Sequence, residues 1–169
     1  PNMAAYYGVP TTDEPDAITR QATGAPTADQ VLDKYIKGLG GAQKLAALTS
    51  YVATGSDLGY GDADPAPLQI FAKAPNQIAE VATTASGPRI RLFDGTAGYA
   101  NVPDVYTPLP KRVLNGGELE GAKLDAMLAF PAQIKQALRN WRGAVPSAIG
   151  DKDVEVIQGT MANGFPVKL

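Results

Sequence analysis

From Ser50 onward the apolar residues of this chain cease to recur at helical spacing and begin to alternate. The alternating runs are Tyr51–Asp57, Leu68–Lys73, Gln77–Thr84, Arg89–Phe93 and Thr96–Asn101. Between them lie turn-like breaks: Gly59 to Pro67, Ala74-Pro75-Asn76, Ser86-Gly87-Pro88 and Asp94-Gly95. Parallel neighbours need a crossover of a dozen or more residues, usually a helix, and no helical pattern separates these runs. An antiparallel meander is therefore predicted, with Asp94-Gly95 as its strongest hairpin signal. In Arg89-Ile90-Arg91-Leu92-Phe93 the arginines alternate with Ile90 and Leu92, which predicts one wet face and one packed face.

Helical spacing flanks the meander. Thr27 and Gln30 form a capping-box pattern, and Val31, Leu32, Tyr35, Ile36 and Leu39 follow as one apolar stripe. Gly38, Gly40 and Gly41 stop this helix. They follow a helix rather than a strand, so they read as a C-terminal cap and not as a phosphate loop. A short second helix is predicted over Ala42–Leu48. After a proline-rich loop (Pro103, Pro108, Pro110), helical spacing returns in Leu119, Leu124, Met127 and Leu128. Pro131 then suits the first turn of a helix carrying Ile134, Leu138 and Trp141 on one face. Strands resume at Asp153–Thr160 and Phe165–Leu169. The predicted class is α+β: a curved antiparallel sheet, a half-barrel, partly covered by helices.

Two segments are expected, residues 1–26 as an extended arm and 27–169 as the half-barrel domain. Pro1, Pro10, Pro15 and Pro26 deny the arm continuous backbone pairing, because each lacks an N–H and restricts the residue before it. Tyr6, Tyr7 and Val9 are unusual in a solvated linker and mark a candidate arm for docking on a partner. The final run, Gly164 to Leu169, reads as a strand just beginning, so the native chain is expected to continue past residue 169.

Composition excludes much chemistry. The chain has no histidine and no cysteine in 169 residues, hence no thiol nucleophile, no imidazole base and no thiolate or imidazole metal ligand of its own. Its four serines, Ser50, Ser56, Ser86 and Ser147, lie in no nucleophile motif. A net charge of −2 without a basic block argues against nucleic acid. No uncharged apolar stretch approaches the roughly 20 residues of a membrane helix. Asp57, Asp62 and Asp64 crowd one loop but lack the spacing of a calcium loop. Glu118, Glu120 and Asp125 offer carboxylates whose helical offsets point mostly outward. Phe71, Phe93, Tyr99, Phe130 and Trp141 admit two readings, an ordinary aromatic core or an apolar groove for a lipid-like ligand.

Five ordered segments carry a resemblance. They are Ala28 to Gly41, Phe71-Ala-Lys-Ala-Pro-Asn76, Phe93-Asp-Gly-Thr-Ala-Gly-Tyr99, Phe130-Pro-Ala-Gln-Ile-Lys135, and Val154–Thr160 followed by Pro166-Val-Lys-Leu169. Together they resemble the haem-free C-terminal domain of acidobacterial multihaem cytochromes labelled photosynthetic reaction centre cytochrome c subunit. The domain is also similar to the half-barrel of periplasmic lipoprotein carriers. The resemblance implies a non-catalytic, extracytoplasmic accessory domain on a multihaem cytochrome or reaction-centre assembly. Its alternative implication is a periplasmic carrier of a lipid or other apolar ligand. The family's Cys-x-x-Cys-His motifs and axial histidines have no counterpart here. Haem c is therefore expected only in a partner or a missing segment, and no other cofactor is expected in the chain. Purified and run through denaturing gel filtration, the chain should carry no Soret absorbance; a Soret band that stays with it would overturn this reading.

Overall fold

In the computed structural model, which describes residues 23–58, 64–101 and 111–169, the change of period at Ser50 marks where helix gives way to sheet. Tyr6, Tyr7, Val9, Asp62 and the proline-rich loop at 103–110 lie outside the described residues. The class is α+β, with helices and two antiparallel sheets. The chain divides into two compact units. One joins the described residues up to Leu45 with Ala132–Leu169, and the other holds the described residues of the stretch Ala46–Pro131.

In the first unit, helix α1 (Ala28–Gly38) begins on the Thr27 capping box. The Gln30 N–H donates to Thr27 Oγ1 at 3.2 Å, and the Thr27 N–H donates to Gln30 Oε1 at 2.8 Å. Gly40 and Gly41 take φ of +108° and +92°, and the Gly41 N–H donates to the Ile36 carbonyl, so the glycine cluster is a helix end. A short helix, α2 (Ala42–Ala46), follows. The unit's sheet is a three-stranded meander of β7 (Arg139–Ile149), β8 (Lys152–Thr160) and β9 (Pro166–Lys168). Helix α1 packs on β7 and β8, and Leu32, Leu138, Ala144 and Ile157 are buried.

The helix predicted to run through Ile134, Leu138 and Trp141 is one short turn, α4 (Ile134–Ala137), after a 3-10 turn at Pro131–Gln133. Leu138 is already extended, and Trp141 lies on β7. The strand was hidden by its own irregularity. Register shifts between Arg139 and Arg142 and between Arg142 and Val145 break the two-residue period, and Asn140 takes φ of +51°. Pro146 is tolerated because β7 is an edge strand. Trp141 is half-buried, and its indole N–H donates to the Lys135 carbonyl at 3.1 Å, back onto the turn it was expected to crown.

The second unit holds the predicted five-strand meander and adds a short sixth strand that was not predicted. Its six strands follow chain order: β1 (Ser50–Asp57), β2 (Ala66–Lys73), β3 (Gln77–Thr84), β4 (Gly87–Phe93), β5 (Gly98–Asn101) and β6 (Arg112–Val113). Helix α3 (Gly116–Leu128) lies on β3, β4 and β5. The core beneath it is Phe93, Ala100, Leu114, Ala122 and Ala126, with Ile78 and Leu119 packed against it. Alanines at i and i+4 let the helix approach the sheet closely. Gly98 serves the same end, since a Cβ there would stand 2.9 Å from Leu114 Cδ1. Asp94 ends β4 in a turn in which its carboxylate accepts from the Thr96 and Ala97 N–H groups, both at 2.8 Å.

Close approach also governs the first unit. A Cβ on Gly159 of β8 would lie 2.5 Å from Leu138 Cβ, whereas one on Gly55 of β1 meets nothing within 4 Å. Gly159→Ala should therefore destabilise by about 1–3 kcal/mol through overpacking. Gly55→Ala should change stability by no more than about 0.5 kcal/mol. Urea melts of the two variants check the contrast, and equal midpoints would refute it.

Candidate functional site

Residues directly opposite each other in an antiparallel ladder share a face. The face of the six-stranded sheet under α3 is fixed by Phe93, which is 3% exposed in the core with Ala122 and Ala126. Two-residue alternation then places Arg91 and Arg89 on the helix side with Phe93. Register adds Glu80 of β3, opposite Arg91, and Ala100 of β5. The arginine-bearing face is thus the one covered by the helix, and Ile90 and Leu92 project from the far face. This reverses the division of wet and packed faces read from Arg89-Ile90-Arg91-Leu92.

Ion pairs make the reversal tolerable. Arg91 Nη1 lies 2.5 Å from Asp125 Oδ2 on α3 and 3.7 Å from Glu80 Oε2. Arg89 pairs with Asp57 of β1. Arg112 holds Glu118 through two hydrogen bonds, at 2.5 and 2.7 Å. Asp57, Glu80, Arg89, Arg91 and Arg112 line much of a cleft of about 290 Å³ with Leu68 and Ala82. Desolvation pushes the Glu80 carboxyl above its usual range, helped by the nearby charges of Asp125 and Asp57 and opposed by Arg91. Hydrogen bonds from Arg112 hold the Glu118 carboxyl below its usual range. The carboxylates considered as a hydrolytic set each have a cation: Glu118 has Arg112, Asp125 has Arg91, and Glu120 has Lys123 at 2.7 Å. Asp57 likewise pairs with Arg89. Among the described residues no cluster of three or more acidic, His or Cys side chains is arranged to hold a metal.

The far face is different. Following the register strand by strand, Val52, Phe71, Ala79, Leu92, Tyr99 and Val113 stand opposite one another and form one apolar row across all six strands. Val81 and Ile90 sit in the next row. Val52, Phe71 and Val113 are 61%, 42% and 59% exposed. Beside Phe71, Ala79 and Leu92 runs a shallow depression of about 280 Å³, bordered by Lys73 and Asp94. Lys111 Nζ stands 4.6 Å from the centre of the Tyr99 ring. Between the exposed members, Ala79, Leu92 and Tyr99 are half-buried; large exposed apolar patches mark interaction sites.

Of the five aromatics proposed for a groove, the four in the second unit do not share one face. Phe71 and Tyr99 share the far face, and Phe93 lies on the helix face. Phe130 is buried edge-on to Tyr51, with ring centres 5.9 Å apart. Trp141 belongs to the first unit. Sequence reasoning missed Val52 and Val113 as partners of Phe71, because their alignment depends on register across five ladders. Compared with protein families, curated proteins and solved structures, the chain matches none.

Burial makes the ionised form of Glu80 the penalised one. Its contribution to stability is present at acid pH and lost as pH rises through the raised folded-state value. Glu80→Gln, which stays neutral, should therefore gain on the wild type in urea midpoint as pH rises from about 4 to 7. A wild type that gains on the variant over that range would show that Arg91 outweighs desolvation.

Proposed function

We propose that this chain is a non-catalytic accessory domain working outside the cytoplasm. It docks onto a multihaem cytochrome or a photosynthetic reaction-centre type of electron-transfer assembly, and haem c resides in that partner. The observation that carries the docking is the apolar row on the far face, with Val52, Phe71 and Val113 exposed. The electron-transfer setting rests on the resemblance of the ordered segments from Ala28 to Leu169.

The half-barrel form belongs to the same proposal. Asp57 and Arg89 pair on the helix face although β2 and β3 lie between their strands. Across a flat sheet, β1 and β4 stand roughly 14 Å apart. Their side chains close that distance more readily if the sheet curls toward α3. Carriage of a lipid or other apolar ligand within the curl draws less support. The space under the helix is occupied by Phe93, Ala100, Leu114, Ala122 and Ala126, and beyond them by ion pairs.

The test mixes the purified chain with a purified multihaem cytochrome and follows Soret absorbance by gel filtration. Wild type should shift the cytochrome to larger size. Phe71→Glu should weaken the association by at least about tenfold, as loss of a central interface residue does, with an unchanged thermal melt. No shift with wild type, or undiminished binding by Phe71→Glu, would remove the reading.

A further inference from the structure

The far face carries a sign of charge as well as an apolar row. Among the described residues, the positions projecting from this face of the six strands include no aspartate or glutamate. They do include Lys73, two residues beyond Phe71 on the same strand. At the other end of the row, the Lys111 ammonium sits over Tyr99. One carboxylate also borders the row: Asp94 is exposed, and backbone hydrogen bonds from Ala97 and Thr96 to its Oδ1 hold it ionised, so the two lysines outnumber it by one charge. The chain as a whole carries a net charge of −2. Its acidic groups near the sheet gather on the opposite face, where Asp57, Glu80, Glu118 and Asp125 are held by arginines.

We infer that the far face takes a protein partner whose apolar patch is bordered by carboxylates placed to meet Lys73 and Lys111. This rests on the docking reading above and specifies its partner. A second copy of the chain fits less well, because two-fold packing of row on row brings two lysines against a single carboxylate, Asp94, from each side and leaves an excess of cations. A lipid surface fits poorly too, since each lysine near an anionic membrane contributes only about 1 kcal/mol and the row is narrow. Six strands at the usual spacing give the row a length of roughly 24 Å, the scale of an interface core rather than of a small-ligand site. Lysines at such a border act mainly on association rate and partner choice, while the apolar row holds the complex.

The experiment compares an acidic and a basic multihaem cytochrome, each titrated with wild type, Phe71→Glu and the double variant Lys73→Glu/Lys111→Glu at low and high salt. Thermal melts verify that each variant folds. Wild type should prefer the acidic cytochrome and lose affinity as salt rises. The double variant should lose about tenfold toward the acidic cytochrome at low salt and turn its preference toward the basic one. If Phe71→Glu abolishes binding while the lysine reversal changes neither preference nor salt dependence, the docking reading stands and this inference fails. If neither cytochrome binds wild type, both fail. Two further outcomes overturn it: sedimentation with vesicles containing phosphatidylglycerol that is lost on lysine reversal, and self-association in analytical ultracentrifugation that is lost on Phe71→Glu.

Discussion

Burial of Phe93 under α3 decides the sidedness of the six-stranded sheet, and most of the second unit follows from that choice. Side chains alternate along β4, so Phe93 cannot face the helix without bringing Arg91 and Arg89 with it. The magnitudes explain why this arrangement wins. Fully burying a phenylalanine is worth about 1.5–3 kcal/mol. Half-exposed ion pairs contribute at most about 1 kcal/mol each, but they keep the arginines from being left unpaired on the helix side. Ile90 and Leu92 retain partial burial against their neighbours on the far face. The apolar row there is thus a consequence of packing on the other side of the same strands.

The arginines, in turn, shape what the helix face can do. Arg91 meets Glu80 across the ladder and Asp125 from the helix, so it ties strand to strand and strand to helix at one point. Arg112 grips Glu118 in the first turn of α3, where a negative side chain is also favoured by the helix dipole. Lys135 plays a comparable part in the first unit, bridging Asp29 and Asp33 of α1 at 2.7 Å each. In each case the charge serves assembly of the unit. Among the described residues the far face is poorer in charge, with Val52, Phe71 and Val113 exposed on it.

Local signals carried most of the architecture. The Thr27–Gln30 box, the glycine stop after Gly38, and the alternation in β1 to β5 were all readable because each depends on near neighbours in sequence. The strand β7 was not, since two register shifts and Pro146 erase its period. Helix α3 was recognised through Leu119, Leu124, Met127 and Leu128, yet its buried contacts are Ala122 and Ala126, residues too small to stand out in a hydrophobic pattern. The site was the least legible part. Phe71 and Tyr99 could be picked as candidates one at a time, but which aromatics share a face depends on Phe93 and on register across the whole sheet.

The two units differ in how far apart along the chain their contacts are made. The second unit is continuous from Ala46 to Pro131, and its ladders join strands that follow one another directly. In the first, α1 packs on β7 and β8, which lie roughly a hundred residues downstream. During synthesis the meander can therefore pair while α1 still has no sheet to lie on. Its apolar stripe, Leu32 included, must wait through the making of the entire second unit. A second unit folded first would close that loop as a compact body and shorten the search that α1 must otherwise make through a long flexible chain.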